Sequence, residues 1–133
     1  MRARTVNNFE RGKEAKKSMG IGMDANIDAF LKNHNPNLSM ASNPAEALGV
    51  CAVKNKINYV DWLLDGGMDI NMDDGHVLGV TCFHENYEMA RHLIERGADL
   101  NKAVDGARRK GLDKTHNHLI NFWGMLKKEG LIK

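Results

Sequence analysis

Apolar residues return along this chain with the spacing of a helix face. Ile57, Val60, Leu63 and Leu64 stand at i, i+3, i+6 and i+7, which aligns them along one stripe of an α-helix. Met89, Ala90, Leu93 and Ile94 form a second stripe, Leu48, Cys51 and Ala52 a shorter one, and Leu119, Phe122, Trp123 and Leu126 another. The ends of these helices are marked as well. Asn43 precedes Pro44 and is followed by Glu46; the asparagine can accept from an orphan amide, and the proline has no amide to leave unpaired. Gly67 and Gly97 follow the first two of these stripes, where glycine accepts the left-handed conformation just past a helix C-terminus. From Met68 to Asn71 the chain reads as extended, leading into the turn Met72-Asp73-Asp74-Gly75-His76.

The pattern is a repeat. Gly67, Asp69 and Asn71 recur thirty positions later as Gly97, Asp99 and Asn101, and Leu48-Gly49-Val50 recurs as Leu78-Gly79-Val80. "YVDWLLDGGMDIN" falls on "MARHLIERGADLN" with Leu63 matched to Leu93. A fixed period of this length points to stacked units of two helices and a turn.

A pair of helices joined by a tight polar break and closed by "GADLN" resembles the ankyrin repeat. The resemblance is carried most specifically by "NYEMARHLIERGADLN" and again by "NYVDWLLDGGMDIN". "NIDAFLKNHNPNLS" (26–39) is similar to the end of a first unit, and "NHLINFWGMLKKEG" (117–130) to the outer helix of a capping one. The resemblance implies an all-α, ankyrin-like stack of antiparallel helix pairs. About four units are expected, 25–42, 43–72, 73–101 and 102–133, the terminal ones degenerate, in a repeat domain spanning 25–133. The chain also departs from the family. "EALG" (46–49) and "HVLG" (76–79) stand where "TPLH" is usual, and a period of 30 rather than about 33 residues implies a short turn between units. The N-terminal "NFERGKEAKKSMGIG" (8–22) is similar to a short segment that precedes ankyrin-like repeats in small bacteriophage-encoded proteins, with Glu14-Ala15 where Asp-Pro is usual. Read from its own residues, 1–24 is a basic helical segment ended by Gly20 and Gly22, with Phe9, Met19 and Ile21 able to pack on the first unit.

Composition adds less than charge does. The 133 residues carry a formal net charge of +2, but it is unevenly spread. Residues 1–24 hold six bases and three acids, 73–101 two bases and six acids, and 102–133 eight bases and three acids, so the ends are basic and the middle acidic. No apolar run reaches the roughly 18–20 residues that span a bilayer, and the basic N-terminus lacks the apolar core of a secretory signal. A cytoplasmic protein with no membrane contact is expected. Cys51 and Cys82 sit in apolar helical stretches and read as reduced, buried small residues. The eight methionines read as core filler. Trp62, one position before Leu63-Leu64, reads as edge packing against the next unit or as partly exposed.

Enzyme chemistry finds little purchase. The histidines lack metal-ligand spacing: His116 and His118 are two apart and point to different sides of a helix, and no Cys-x-x-Cys occurs. "GIG" at 20–22 is followed by no Gly-Lys-Ser/Thr, so it is not a phosphate loop. Nor does "GVT" at 79–81 make a nucleophile elbow. No cofactor, metal, catalytic residue or small-molecule substrate is expected.

What the resemblance implies is a non-enzymatic protein-binding module that covers or recruits a protein partner through turn tips and inner helices, a host protein if the phage-like N-terminus is meaningful. Carried over residue by residue, the tip positions are Met72, Asp73, Asp74, Gly75 and His76. The inner-helix positions are Val53, Lys54 and Asn55, then Phe83, His84 and Glu85, with Arg108 and Arg109 in the corresponding place of the last unit. Phe83 is either an exposed anchor or a core residue slightly off register. Asp73, Asp74 and Glu85 favour a partner with a basic patch. The alternative is a nucleic-acid-binding protein using its basic ends, "RARTVNNFERGKEAKK" (2–17) and "ARRKGLDK" (107–114). The acidic middle interrupts the continuous positive track such binding needs, and no aromatic is interleaved in 107–114 for base stacking.

Overall fold

The computed structural model describes residues 22–130; the expected basic segment before Gly22 lies outside them. Seven helices and no strand are found among the described residues, so the described part of the chain is all-α. It divides into two compact units, one running to Asp69 and the other from Ile70. None of these helices is long and apolar enough to cross a membrane.

The first unit holds α1 (Gly22–His34), α2 (Pro44–Val53) and α3 (Ile57–Asp65). Helix α2 begins as its sequence predicts, with Pro44 in the first turn and the Asn43 side chain accepting from the Glu46 amide at 3.2 Å. Leu48, Cys51 and Ala52 are fully buried, and burial pushes the Cys51 thiol up to about 11 against a smaller lowering by Lys56. Val60, Leu63 and Leu64 are buried on α3, whereas Ile57, in its first turn, is exposed. Trp62 is buried too. Its indole N–H donates to Asp24 Oδ1 at 3.0 Å, tying α3 to α1. Phe30 and Tyr59 meet edge to face across the same pair of helices, with the Lys56 ammonium 5.4 Å from the Phe30 ring.

The second unit holds α4 (Met72–Phe83), α5 (Tyr87–Glu95), α6 (Leu100–Arg109) and α7 (Asp113–Lys128). Its core is built from Val77, Leu78 and Cys82 of α4, Met89, Ala90 and Leu93 of α5, Ala103, Val104 and Ala107 of α6, and Leu119, Phe122 and Leu126 of α7. Trp123 is half-buried. Tyr87 stacks on Phe122 with ring centroids 5.8 Å apart, and Arg91 grips the Glu129 carboxylate through two hydrogen bonds of 3.1 and 2.7 Å. Burial pushes the Cys82 thiol up to about 12, so both cysteines are inert packing residues at neutral pH.

The same helix stop is used at five of the seven helices. After α3, the Gly67 amide donates to Leu64 O and the Met68 amide to Leu63 O; after α5, Gly97 and Ala98 make the same two bonds to Ile94 O and Leu93 O. This is the Schellman arrangement, in which the residue past the cap turns left-handed and two orphan carbonyls are satisfied. Helices α2, α4 and α6 end likewise, with Asn55 (φ 62°), Glu85 (φ 59°) and Gly111 (φ 71°) in that position. The chain after Gly67 runs differently from the extended segment expected over 68–71, because it is already turning at Ile70 and Asn71.

Gly67 and Gly97 both have φ of 104°, beyond the ordinary left-handed well and strained for any residue with a Cβ. A Cβ on Gly97 would meet no atom within 4 Å, so a substitution there reports backbone strain alone. Gly97→Val should lower unfolding free energy by about 1–2 kcal/mol, since a β-branched residue resists this conformation, and urea denaturation followed by circular dichroism measures it.

Candidate functional site

The sequence motif that repeats most strictly, Gly-x-Asp-x-Asn, ties one turn to the next. Asn71, the last residue of the first copy, accepts from the Asp99 amide through Oδ1 at 2.8 Å and donates from Nδ2 to the Gly97 carbonyl at 3.3 Å. Asp99, in the second copy, caps α6 by accepting from the Lys102 amide at 3.1 Å. From there the two copies part. Residues after Asn71 form a turn, with Asp73 (φ 52°), Asp74 (φ 55°) and Gly75 (φ 79°) all left-handed before α4 resumes. Residues after Asn101 are helical instead, since α6 already begins at Leu100. The aspartates tolerate the left-handed region better than most residues, and glycine has no penalty there.

This turn is pressed onto α6. A Cβ on Gly75 would meet the Ala103 Cβ at 3.0 Å, and one on Gly106 would meet the Asp74 Cβ at 2.6 Å. Small residues at 103 and 106, three apart on one helix face, are what admit the turn. Two ion pairs hold it there. Lys110 Nζ lies 2.9 Å from Asp73 Oδ1 and donates weakly to the Asp73 carbonyl at 3.4 Å, while Arg109 Nη2 lies 3.2 Å from Asp74 Oδ2. The Lys110 hydrogen bond, more than its charge, holds the Asp73 carboxyl below the usual aspartate range. Arg108 pairs with Asp105 within α6.

Between the turn, α4 and α6 lies an open cavity of about 370 Å³, lined also by Leu112 and Thr115. Val80, Phe83, Ala103 and Ala107 make much of its wall apolar. Phe83 is 40% exposed and Leu112 47%, so the two large apolar side chains at this cavity are accessible. The Phe83 ring is steadied edge-on by His84 at 5.3 Å and by His118 at 5.8 Å. His84 Nδ1 is in turn 3.0 Å from the Val80 carbonyl. His118 Nδ1 is buried without a hydrogen-bond partner and faces Glu85 Oε2 at 3.8 Å.

Six of the residues singled out from sequence meet at this cavity: Asp73, Asp74, Gly75, His76, Phe83 and His84. Phe83 is an exposed residue rather than a core one off register. Four placements need correction. Lys54 and Asn55 lie past the end of α2, and His84 and Glu85 past the end of α4, so they belong to helix–helix turns and not to inner-helix faces; the left-handed stops put them there. Val53, the last residue of α2, is half-buried in the first unit. Met72 is half-buried in the turn and does not line the cavity. Arg108 and Arg109 are exposed at the end of α6 and do not line it either. The acidic tips were expected to stand outside the packed structure and attract a basic partner. Asp74 instead packs on Gly106, and both acids are matched by bases of the same unit.

Sequence reasoning passed over Val80, Ala107 and Leu112 as site residues and took Lys110 only as one base of the run 107–114. Val80 carries a signal, as part of the repeated Leu-Gly-Val; the small residues of α6 carry another, at 103, 106 and 107. Among the described residues, no three His, Cys, Asp or Glu side chains gather to hold a metal ion. No family model, curated protein or solved structure matches the chain.

The depressed Asp73 carboxyl fixes a pH dependence. A folded-state value below the unfolded one means that the pair stabilises above the ordinary aspartate pKa, near 3.9, and that this is lost as pH falls through the folded value. The pair is solvent-accessible, so its effect on global stability is small. Lys110→Met should move the Asp73 carboxyl up to the usual aspartate range, read by carboxyl-carbon NMR titration, with little change in melting temperature.

Proposed function

We propose that this chain is a non-enzymatic, ankyrin-like protein-binding module that engages a protein partner through the inner-helix and turn face of its second unit. The observation that carries this is Phe83. It is a large aromatic, exposed yet steadied on two sides by histidine rings, at the mouth of an apolar cavity. Exposed aromatics held in one orientation lose little entropy on binding and dominate many interfaces. The ankyrin-like reading draws on the paired helices, on the Schellman stops recurring at Gly67 and Gly97, and on the Asn71 bridge between successive copies of the motif. Stacked helical repeats present extended faces of this kind for recognition.

The nucleic-acid reading is weakened by the pairing of Arg108, Arg109 and Lys110 with Asp105, Asp74 and Asp73. Bases matched to carboxylates within their own unit release fewer counterions when they meet phosphate.

Phe83→Ala should weaken binding to a partner recovered with the full chain by about 2 kcal/mol, or roughly 30-fold in Kd, while leaving the melting temperature nearly unchanged because the side chain is exposed. Calorimetric titration and thermal denaturation of the same variant measure both. Tight binding of duplex DNA or RNA by the wild type, lost on changing Arg108, Arg109 and Lys110 to Ala, would overturn this reading in favour of nucleic acid.

A further inference from the structure

The carboxylates and the ammonium that line the second-unit cavity are paired: Asp73 with Lys110, and Asp74 with Arg109 just outside the lining. A charged group brought to this rim must displace a partner already in place, and exposed exchanges of this kind yield little. Apolar surface at the cavity is different. Phe83 and Leu112 are exposed beside Val80 and Ala107, and covering them removes hydrocarbon from water at about 25 cal/mol per Å². Size narrows the occupant further. A volume of about 370 Å³ lies near the lower end of the 300–1,000 Å³ typical of ligand pockets. That volume has room for one bulky side chain.

From this the geometry points to the class of partner: a protein segment that inserts one leucine- or phenylalanine-sized side chain into the cavity that Phe83 and Leu112 help to line, with uncharged residues on either side of it. The assignment rests on the protein-binding reading above and replaces the basic partner patch that the acidic sequence of residues 73–101 suggests. Rim pairing makes the occupant apolar, and the apolar character makes its binding insensitive to salt. Leu112 offers an unusually clean handle. It occupies the N-cap position of α7 without any side-chain capping bond, so Leu112→Ser removes apolar surface from the cavity and supplies a preferred cap in the same step.

The test uses ¹H–¹⁵N NMR of the full chain titrated with N-acetyl-leucinamide, N-acetyl-phenylalaninamide, N-acetyl-argininamide and N-acetyl-glutamate amide. The expected result is saturable shifts at Val80, Phe83, Ala107 and Leu112 with the two apolar probes only. Their Kd should change less than about 2-fold between low and high salt, as expected where screened charges contribute little. Phe83→Ala and Leu112→Ser should each weaken the apolar probes several-fold while the spectrum stays dispersed and, for Leu112→Ser, the melting temperature does not fall. Saturation by a charged probe at the same residues, weakening as salt rises, overturns this inference and leaves the protein-binding reading standing. Absence of any shift in the cavity with all four probes overturns it too. A partner affinity unmoved by Phe83→Ala, with the apolar probes still bound, overturns the placement of the partner on the Phe83 face instead.

Discussion

The second unit depends on how closely one turn approaches one helix. Asp73, Asp74 and Gly75 lie in the left-handed region and press on α6 where it offers Ala103 and Gly106. A methyl group at Gly106 would stand 2.6 Å from the Asp74 Cβ, far inside contact distance. Everything at the candidate site follows from that approach. It places Asp73 and Asp74 within reach of Lys110 and Arg109. It sets one wall of the cavity while α4 carries Phe83 to the other end. Asn71 fixes where the turn begins by holding the backbone at Gly97 and Asp99.

The turn also changes what the acidic sequence means. Two adjacent aspartates at a tip, read alone, suggest an outward negative patch. Docked on α6, they are spent on Arg109 and Lys110, and the surface beside them is apolar. Local pairing therefore shifts the expected mode of recognition from electrostatic steering to burial of a hydrophobic side chain. Phe83 ends α4 and Leu112 precedes α7, at positions without any repeat relation, yet both line the same cavity.

Much of this could be read from the sequence, and the reasons are local. The Asn43-Pro44 start of α2, the stops at Gly67 and Gly97 and the buried stripes at Val60, Leu63, Leu93 and Leu119 all follow from backbone chemistry within a few residues. Phe83 was identifiable, though not whether it was exposed, because helix periodicity alone does not say which neighbouring element covers a position. The last unit was harder. The thirty-residue register continues to Asn101, but Asp99 caps a helix there, so residues equivalent to the Asp73–Gly75 turn become helical and Lys110 arrives where no repeat logic places it. Lys54, Asn55, His84 and Glu85 were misplaced for a related reason. Asn55 and Glu85 adopt the left-handed stop that glycine usually marks, and a sequence without glycine there gives no sign of it.

The close approach at Gly106 is the claim most open to a decisive measurement. Glycine inside a helix is ordinarily worse than alanine by about 0.5–1 kcal/mol, so Gly106→Ala in a helix free of neighbours would raise stability by that amount. Here the new methyl must push the Asp74 turn away from α6. The account predicts that urea denaturation of Gly106→Ala shows a loss of stability. It also predicts that the Asp73 carboxyl, freed from Lys110, titrates nearer the usual aspartate range. A gain in stability with Asp73 unchanged would contradict it.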